Sequence, residues 1–133
     1  MLTEIETAFG QRLAAMSGVP TIVWPNKFPA TLPARPFLSV QHVPTSNDSP
    51  ALSGGGEVQR GYFMVTVVIA RDTFATPANT LAAAIKARFP KGLTLTAGSR
   101  KMRIWRPSQI SAGFVDANDW RLPVRVDYLV TGA

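Results

Sequence analysis

The sequence predicts a single α+β domain in which a mainly antiparallel β-sheet carries two α-helices on one face. Two segments have apolar residues at helical spacing, and several others alternate or run apolar as strands do. No internal repeat or linker divides the 133 residues. A chain of this length buries enough surface for one core, so we expect residues 1–133 to form a single domain.

The two helices are predicted at residues 3–16 and from residue 76 to about 89. Thr3 and Glu6 have the spacing of a capping box at the start of the first helix. Thr76 followed by Pro77 is typical of a cap with a first-turn proline. Apolar stripes then follow on one face of each helix: Ile5, Ala8, Phe9, Leu13 and Met16 in the first, and Ala78, Leu81, Ala82, Ile85 and Phe89 in the second.

The strands are predicted at residues 21–24, 37–43, 58–71, 100–106, 109–115 and 120–130. The segment 58–71 is apolar on both sides, which indicates a central strand covered on both faces, either within the subunit or by a neighbour. Pro123 indicates an edge or bulged strand at the start of the last segment. Asp116 and Asp119 flank a predicted turn just before it, where aspartate is favoured for turn geometry.

A long loop is predicted between residues 44 and 56. Its thirteen residues have no apolar periodicity, and loops of this length in small domains are usually functional. We interpret it as a mobile assembly loop that orders against a partner, with the candidate residues Ser46, Asp48, Gly54, Gly55 and Gly56. The glycines do not form a phosphate-binding loop, because no Gly-Lys-Ser/Thr ending follows and Glu57 would repel phosphate.

The composition excludes several classes of protein. There is no cysteine and only one histidine, His42, so no nucleophilic triad or metal-ligand spacing can be assembled. We therefore predict no enzyme, no metal and no cofactor. The apolar runs are shorter than a membrane span, and Glu4 and Glu6 stand where a secretion signal would be positive. These features favour a cytoplasmic protein without a membrane partner.

The charge of the chain is unevenly distributed. The net charge is +6, and no acidic residue lies between Asp72 and Asp116, a stretch that holds seven lysines and arginines. Such a patch attracts nucleic acid or an acidic protein surface, although small basic proteins also carry solvated positive faces without a ligand.

Two strands supply candidate contact residues for a partner. In the segment 100–106, cations alternate with Met102 and Ile104, and an outward aromatic beside cations is typical of a protein-interface anchor or of a single-strand nucleic-acid surface. The second apolar side of the segment 58–71 offers a further contact. The candidate interface residues are Tyr62, Met64, Arg100, Lys101, Arg103 and Trp105.

Several stretches along nearly the whole chain resemble the tail terminator proteins of long-tailed bacteriophages and prophages. They are IETAFGQRLAAM, TIVWPN, SGGGEVQRGYFMV with TVVIARD directly after it, AAAIKARFPKG and DWRLPVRVDYLV. The resemblance implies an α+β structural protein that forms a hexameric ring on the tail tube in the virion, ends tail polymerisation and offers a surface for head attachment. DNA would pass through this ring without its sequence being read.

The resemblance implies three partners: other copies of the same chain, the tail tube protein and a neck or head-completion protein. It assigns no contact residue. Lys101, Arg103 and Trp105 would meet an acidic tube end or line the channel, and both alternatives remain open from the sequence. A neck or head-to-tail completion protein is the first alternative function, and a basic nucleic-acid-binding module is the second.

Overall fold

The computed structural model describes residues 2–25, 27, 31, 33–48 and 58–131. The described elements include two helices and eight strands. Their bounds are α1 Leu2–Ala14, β1 Thr21–Val23, β2 Phe37–Asp48, β3 Val58–Ala70, α2 Thr76–Arg88, β4 Thr94–Ala97, β5 Arg100–Arg103, β6 Gln109–Ile110, β7 Phe114–Asp116 and β8 Asp119–Thr131.

The strands form one mixed, mostly antiparallel sheet in the order β1-β2-β3-β8-β5-β4, and β6 and β7 also pair with β8. Among the described pairs, β1 with β2 is parallel and the others are antiparallel. β3 pairs along its whole length with β8, from Val58↔Thr131 to Ala70↔Asp119, and along most of its length with β2. The prediction of a central third strand is therefore confirmed.

The core lies on one face of this sheet, beneath both helices. Phe9 of α1 stacks on Phe63 of β3 with ring centroids 3.9 Å apart, and on Phe89 after α2 at 4.5 Å. Ala82 and Ile85 of α2 are fully buried in the same apolar cluster. These contacts confirm the predicted fold class, an α+β protein with both helices packed on one face of the sheet.

A polar group is accommodated inside the core by a glycine. Tyr128 of β8 is fully buried, and its hydroxyl lies 2.6 Å from His42 Nε2 on β2. The ring needs the space above Gly61, where an added Cβ would lie 2.7 Å from the Val43 carbonyl oxygen and closer still to the phenol oxygen. Gly61 is thus required by close approach, since a real Cβ does not come within 3 Å of such atoms.

The C-terminal ends of the two helices are fastened to each other by a reciprocal pair of hydrogen bonds. Arg12 Nε donates to the Arg88 carbonyl at 2.8 Å, and Arg88 Nε donates to the Arg12 carbonyl at 3.0 Å. The last carbonyls of a helix have no partner within the helix, so each arginine satisfies one of the other helix's acceptors.

The starts of both helices differ from the predictions. α1 begins at Leu2, so Thr3 lies inside the helix and the capping-box prediction is wrong. In α2 the residue before the helix is Ala75, which forms no side-chain cap, and Thr76 is the first helical residue. Thr80 bonds back to the Thr76 carbonyl at 3.0 Å, inside the helix.

The strand boundaries also differ from the predictions. The segment predicted as one strand at residues 109–115 is divided into β6 and β7. β2 continues to Asp48, so the predicted loop does not begin at Pro44. The run that was predicted as one strand to residue 106 ends at Arg103, and β4 was not predicted at all. A bulge between Pro44 and Ser46 lets β2 pass the proline and keep pairing with β3.

Of the two positions predicted for Pro123, edge or bulged, the second agrees with the structure: β8 has neighbours on both sides, but the pairing shifts by one residue between Ile110↔Val124 and Phe114↔Arg121. Pro123 pairs in register with Thr66 of β3, and its carbonyl accepts from Ser111 N at 3.0 Å on the other side. In an antiparallel strand the N–H and C=O of one residue point to the same neighbouring strand. Proline has no N–H, so the donor is absent on the side where β6 and β7 are interrupted. The sheet tolerates the proline at that gap.

We predict that Gly61→Ala lowers the free energy of unfolding by about 1–3 kcal/mol, the usual cost of overpacking a core. The reason is the clash of the new methyl with the Tyr128 phenol. In the Gly61→Ala/Tyr128→Phe double variant the loss should be smaller than the sum of the two single losses, because the phenol oxygen is gone. Urea denaturation of the four proteins measures this, and strictly additive losses would contradict it.

Candidate interaction surface

The sheet has a second face that neither helix covers, and we call it the open face. It consists of the side chains that alternate with the core residues: Ser39, Gln41 and Val43 of β2, Arg60, Tyr62, Met64 and Thr66 of β3, Lys101 and Arg103 of β5, and Pro123, Arg125, Asp127 and Leu129 of β8. Most of them are half-buried or exposed. The predicted covering of β3 on both faces is met by the described part of the subunit only at one end, where Val68 and its register neighbour Phe37 are buried on this side.

Tyr62 and Met64 lie in the middle of the open face. Tyr62 is in register with Val43 on one side and Asp127 on the other, and Met64 is in register with Gln41 and Arg125. All but Gln41 and Asp127 are half-buried. The centre of this surface is therefore apolar and aromatic, with polar groups around it.

A buried carboxylate holds two arginines at this centre. The Asp127 side chain is 4% exposed, and it accepts from Arg106 Nε at 2.8 Å and from Arg125 Nε at 3.1 Å. The Arg125 guanidinium lies 3.9 Å from the centroid of the Tyr62 ring, and that of Arg106 lies 4.8 Å from the Trp105 ring. A continuous row of five side chains therefore links Trp105 to Tyr62.

This row brings together candidates that the sequence placed on separate strands. Trp105 is 40% exposed and follows β5 instead of lying within it. Asp127 was not among the predicted site residues, although its two-residue spacing from Arg125 already indicates a shared side of one strand. Arg106 was recognised only as part of the basic stretch.

Lys101 and Arg103 lie on the open face, beside the apolar centre. They flank the buried Met102 and are in register with Thr131 and Leu129 of β8. Arg100 alternates with them, so it lies on the same side of β5 as Met102, towards the helices. The structure thus separates Arg100 from the other five candidate interface residues.

The candidate assembly loop is described only at its start. Ser46 and Asp48 belong to β2, in register with Arg60 and Val58 of β3. Gly54, Gly55 and Gly56 lie outside the described residues. The boundary of the predicted loop is corrected to follow Asp48, and its assembly role stays a prediction.

His42 faces the core side of β2 and links the first helix to the sheet. Its ring stacks on Phe63 at 4.4 Å, and its Nδ1 lies 3.3 Å from Glu6 Oε1. A carboxylate only accepts, so Nδ1 carries the proton and Nε2 accepts from the Tyr128 hydroxyl. Burial lowers the pKa of His42, against the opposing effect of Glu6. Burial likewise raises the pKa of Tyr128 to about 12.

The turn between β7 and β8 is confirmed, with Asp116 and Asp119 facing each other across it. Both carboxylates lie against arginines. Asp119 is buried and pairs with Arg35, and Asp116 Oδ2 lies 2.9 Å from Arg121 Nε. The Arg35–Asp119 pair ties the chain before β2 to the start of β8, and the Asp116–Arg121 pair ties β7 to β8, which gives both aspartates a structural role.

The described residues hold neither a metal-ligand cluster nor a helix that could span a membrane. These residues contain no group of three or more His, Cys, Asp or Glu side chains that would hold a metal ion. Neither α1 nor α2, at 13 residues each, is long and apolar enough to cross a membrane.

The protein is thus an α+β domain with an open sheet face on one side and two helices on the other. The family model for phage tail terminator protein matches residues 4–128. The chain therefore belongs to the phage tail terminator family. Membership gives it a structural role in completing the tail and a location in the virion tail.

Solved structures show the same fold. One, with 25% sequence identity, covers 98% of this chain and 95% of its own, with a TM-score of 0.79. A chain from the virion of a native gene transfer agent particle has 17% identity, covers 97% of this chain and 95% of its own, and gives a TM-score of 0.65. A comparison with curated proteins gave no match.

We predict that stability falls as the pH is lowered below about 6.5. The folded pKa of His42 is lowered, so the unfolded chain binds a proton that the folded chain resists, and the free energy of unfolding decreases with falling pH until the folded pKa is passed. Urea denaturation between pH 7.5 and 5.5 measures the slope. His42→Gln should remove it, and an unchanged slope in that variant would assign it to other groups.

We predict that Asp127→Asn destabilises the fold by about 1–3 kcal/mol, because it leaves two arginines without their shared carboxylate. The Arg106 and Arg125 side chains are 32% and 35% exposed, so solvent screens part of their attraction to Asp127. We therefore expect a loss in the lower half of this range. Thermal denaturation checks it. Asp72→Asn is the matched control, since its carboxylate is 88% exposed and should cost little.

Proposed function

We propose that this chain caps the tail tube as a homo-hexameric ring, ends polymerisation of the tube and provides the surface to which the head attaches. The observation that carries the proposal is the family match over residues 4–128. The role is structural and not catalytic. Its partners are other copies of itself, the tail tube protein and a neck or head-completion protein, and DNA passes through the ring without sequence reading.

The open face supports an assembly role. Its centre combines Tyr62, Met64 and Arg125, and aromatic residues, methionine and arginine are enriched in protein interfaces while lysine and glutamate are depleted. Arg125 is held in place by Asp127 before any partner arrives, so less side-chain freedom is lost on binding. Tyr62, Met64, Lys101, Arg103 and Trp105 are accordingly our candidate interface residues.

The place and time of action follow from this role. We propose that the protein is made in the host cytoplasm and is added to the head-proximal end of a tube that has reached its final length. The Ser46–Asp48 end of β2 and the glycines Gly54, Gly55 and Gly56 remain our candidate for a segment that orders during this assembly.

We predict that deletion of the gene from its phage or prophage produces abnormally long tails without heads, because polymerisation of the tube is not stopped. Electron microscopy of lysates measures the tail length, and a plasmid copy of the wild-type gene should restore it. Tails of normal length that fail to join heads would move the assignment to a neck protein. Unchanged virions would contradict the proposed function and leave nucleic-acid binding as the role of the basic surface.

A further inference from the structure

Phe74 is the most exposed large apolar side chain among the described residues. It lies between β3 and α2 and is 89% exposed, whereas the next most exposed, Val115, is 50% exposed. An apolar residue just before a helix cap usually packs on the fourth helical residue, but here that residue is Asn79, which is polar and exposed. The local structure at the start of the helix therefore does not account for Phe74.

The turn that carries this ring is held firmly to the rest of the fold, and we call residues 71–75 the anchor turn. The N–H of Arg71 donates to the Asn118 carbonyl at 2.9 Å. Thr73 Oγ1 donates to the Ala70 carbonyl at 2.7 Å. The aromatic ring is thus presented on a fixed support, so little backbone freedom is lost when a partner binds it.

A pocket of about 350 Å³ lies at the other end of the same strand, beside the bulge of β2, and we call it the bulge pocket. Its lining includes Leu2, Pro44, Arg60 and Tyr128. Leu2 is an apolar side chain that is 49% exposed in the single subunit. A cavity of about 150 Å³ already holds a benzene ring, so the bulge pocket has room for a phenylalanine side chain.

The anchor turn and the bulge pocket carry opposite charges. Arg60 is exposed in the wall of the pocket, and no described residue forms an ion pair with it. Asp72, two residues before Phe74, is 88% exposed, and its contact with the exposed Arg71 is 3.8 Å long. A surface pair of this kind is weak, so the carboxylate of Asp72 is available to a second cation.

The two features cannot meet within one subunit. Arg60 lies near the start of β3 and Ala70 is its last residue, so they are roughly 30 Å apart along the strand. A contact between two unlike patches of different copies is heterologous, and repeated by rotation it closes a ring. We propose that Phe74 of one subunit inserts into the bulge pocket of the next, with Asp72 beside Arg60. This inference rests on the proposed ring and names the surfaces that form it.

A second copy of the chain is the occupant that the molecule itself indicates. The chain supplies an exposed phenyl ring, a pocket of sufficient volume, and opposite charges beside the two. One contact would cover both Phe74 and Leu2, which are exposed in the single subunit. The open face takes no part in this contact, which leaves it for the tail tube or the neck protein.

The first test measures tail length in a phage strain that lacks the gene, with variants supplied from a plasmid. Phe74→Ala removes the anchor, and Arg60→Glu places a carboxylate opposite Asp72. Each should lower the yield of normal-length tails by about tenfold or more, since truncation of an interface anchor usually weakens binding at least that much. Ile110→Ala removes an exposed apolar side chain that belongs to neither surface, and should leave the tail length unchanged.

Charge exchange tests whether Asp72 and Arg60 form a pair. Asp72→Lys alone should be as defective as Arg60→Glu, and the double variant should recover normal-length tails, because the ion pair forms again in reverse. Asp72 has a φ of +64°, which lysine adopts less readily than aspartate, so thermal denaturation must verify that each variant is folded. Lys86→Glu reverses an exposed charge outside both surfaces and should not repair Asp72→Lys.

Cross-linking tests whether the contact runs from the anchor turn of one copy to the pocket of the next. The chain has no cysteine, so Arg60→Cys/Asp72→Cys introduces the only two thiols and keeps Phe74 in place. In purified tails a short bismaleimide should join the copies into a ladder that ends in the closed ring. Neither single-cysteine variant should be joined to another copy of itself.

The other outcomes overturn the inference. Normal-length tails with Phe74→Ala would show that this contact does not hold the ring together. A defect in Phe74→Ala with normal tails from Arg60→Glu would assign Phe74 to the tail tube or the neck protein. A defective double charge variant, or a single-cysteine variant that cross-links to itself, would contradict the pairing of unlike surfaces. The proposed function fails separately, if the deletion strain itself makes normal tails.

Discussion

The packing of Phe63 determines which side of this molecule is core and which is surface. Its ring lies between Phe9 of the first helix at 3.9 Å and His42 of the neighbouring strand at 4.4 Å. Successive residues of a strand point to opposite faces, so fixing one side chain of the central strand fixes the others. For this reason Tyr62 and Met64 point away from the helices, and the side chains beside them form the open face.

The sequence predicted the parts of the fold that follow from periodicity. The packing agrees with two periodic patterns: the apolar stripes of both helices and the alternation along residues 120–130. Such patterns extend over many residues and predict structure better than the preference of any single residue. Local signals were less dependable. The Thr3 and Glu6 spacing suggested a cap, but the helix begins one residue earlier. The strand at Thr94–Ala97 was missed because its polar residues are exposed and only Ala97 is buried. Its pairing with Arg100–Arg103, not its own composition, makes it a strand.

The candidate surface was predictable only in outline. Alternation alone placed Lys101 and Arg103 on one side of their strand, and Tyr62 and Met64 on one side of theirs, but it predicted that the Tyr62 side would be covered. The link from Trp105 to Tyr62 could not be predicted, because it depends on a carboxylate at Asp127 that lies 21 residues from Arg106 in the chain. Burial of that carboxylate between two guanidinium groups is a property of the sheet register, which no local pattern reveals.

The interrupted edge beside Pro123 has a consequence for the behaviour of the free protein. Ile110, Phe114 and Val115 are 42%, 48% and 50% exposed along that edge, and a continuous apolar edge strand is a template for uncontrolled sheet growth. The proline withholds one donor where such a strand would need it, which leaves two short pieces, Gln109–Ile110 and Phe114–Asp116. The interruption thereby hinders this apolar edge from pairing with the same edge of another copy of the chain.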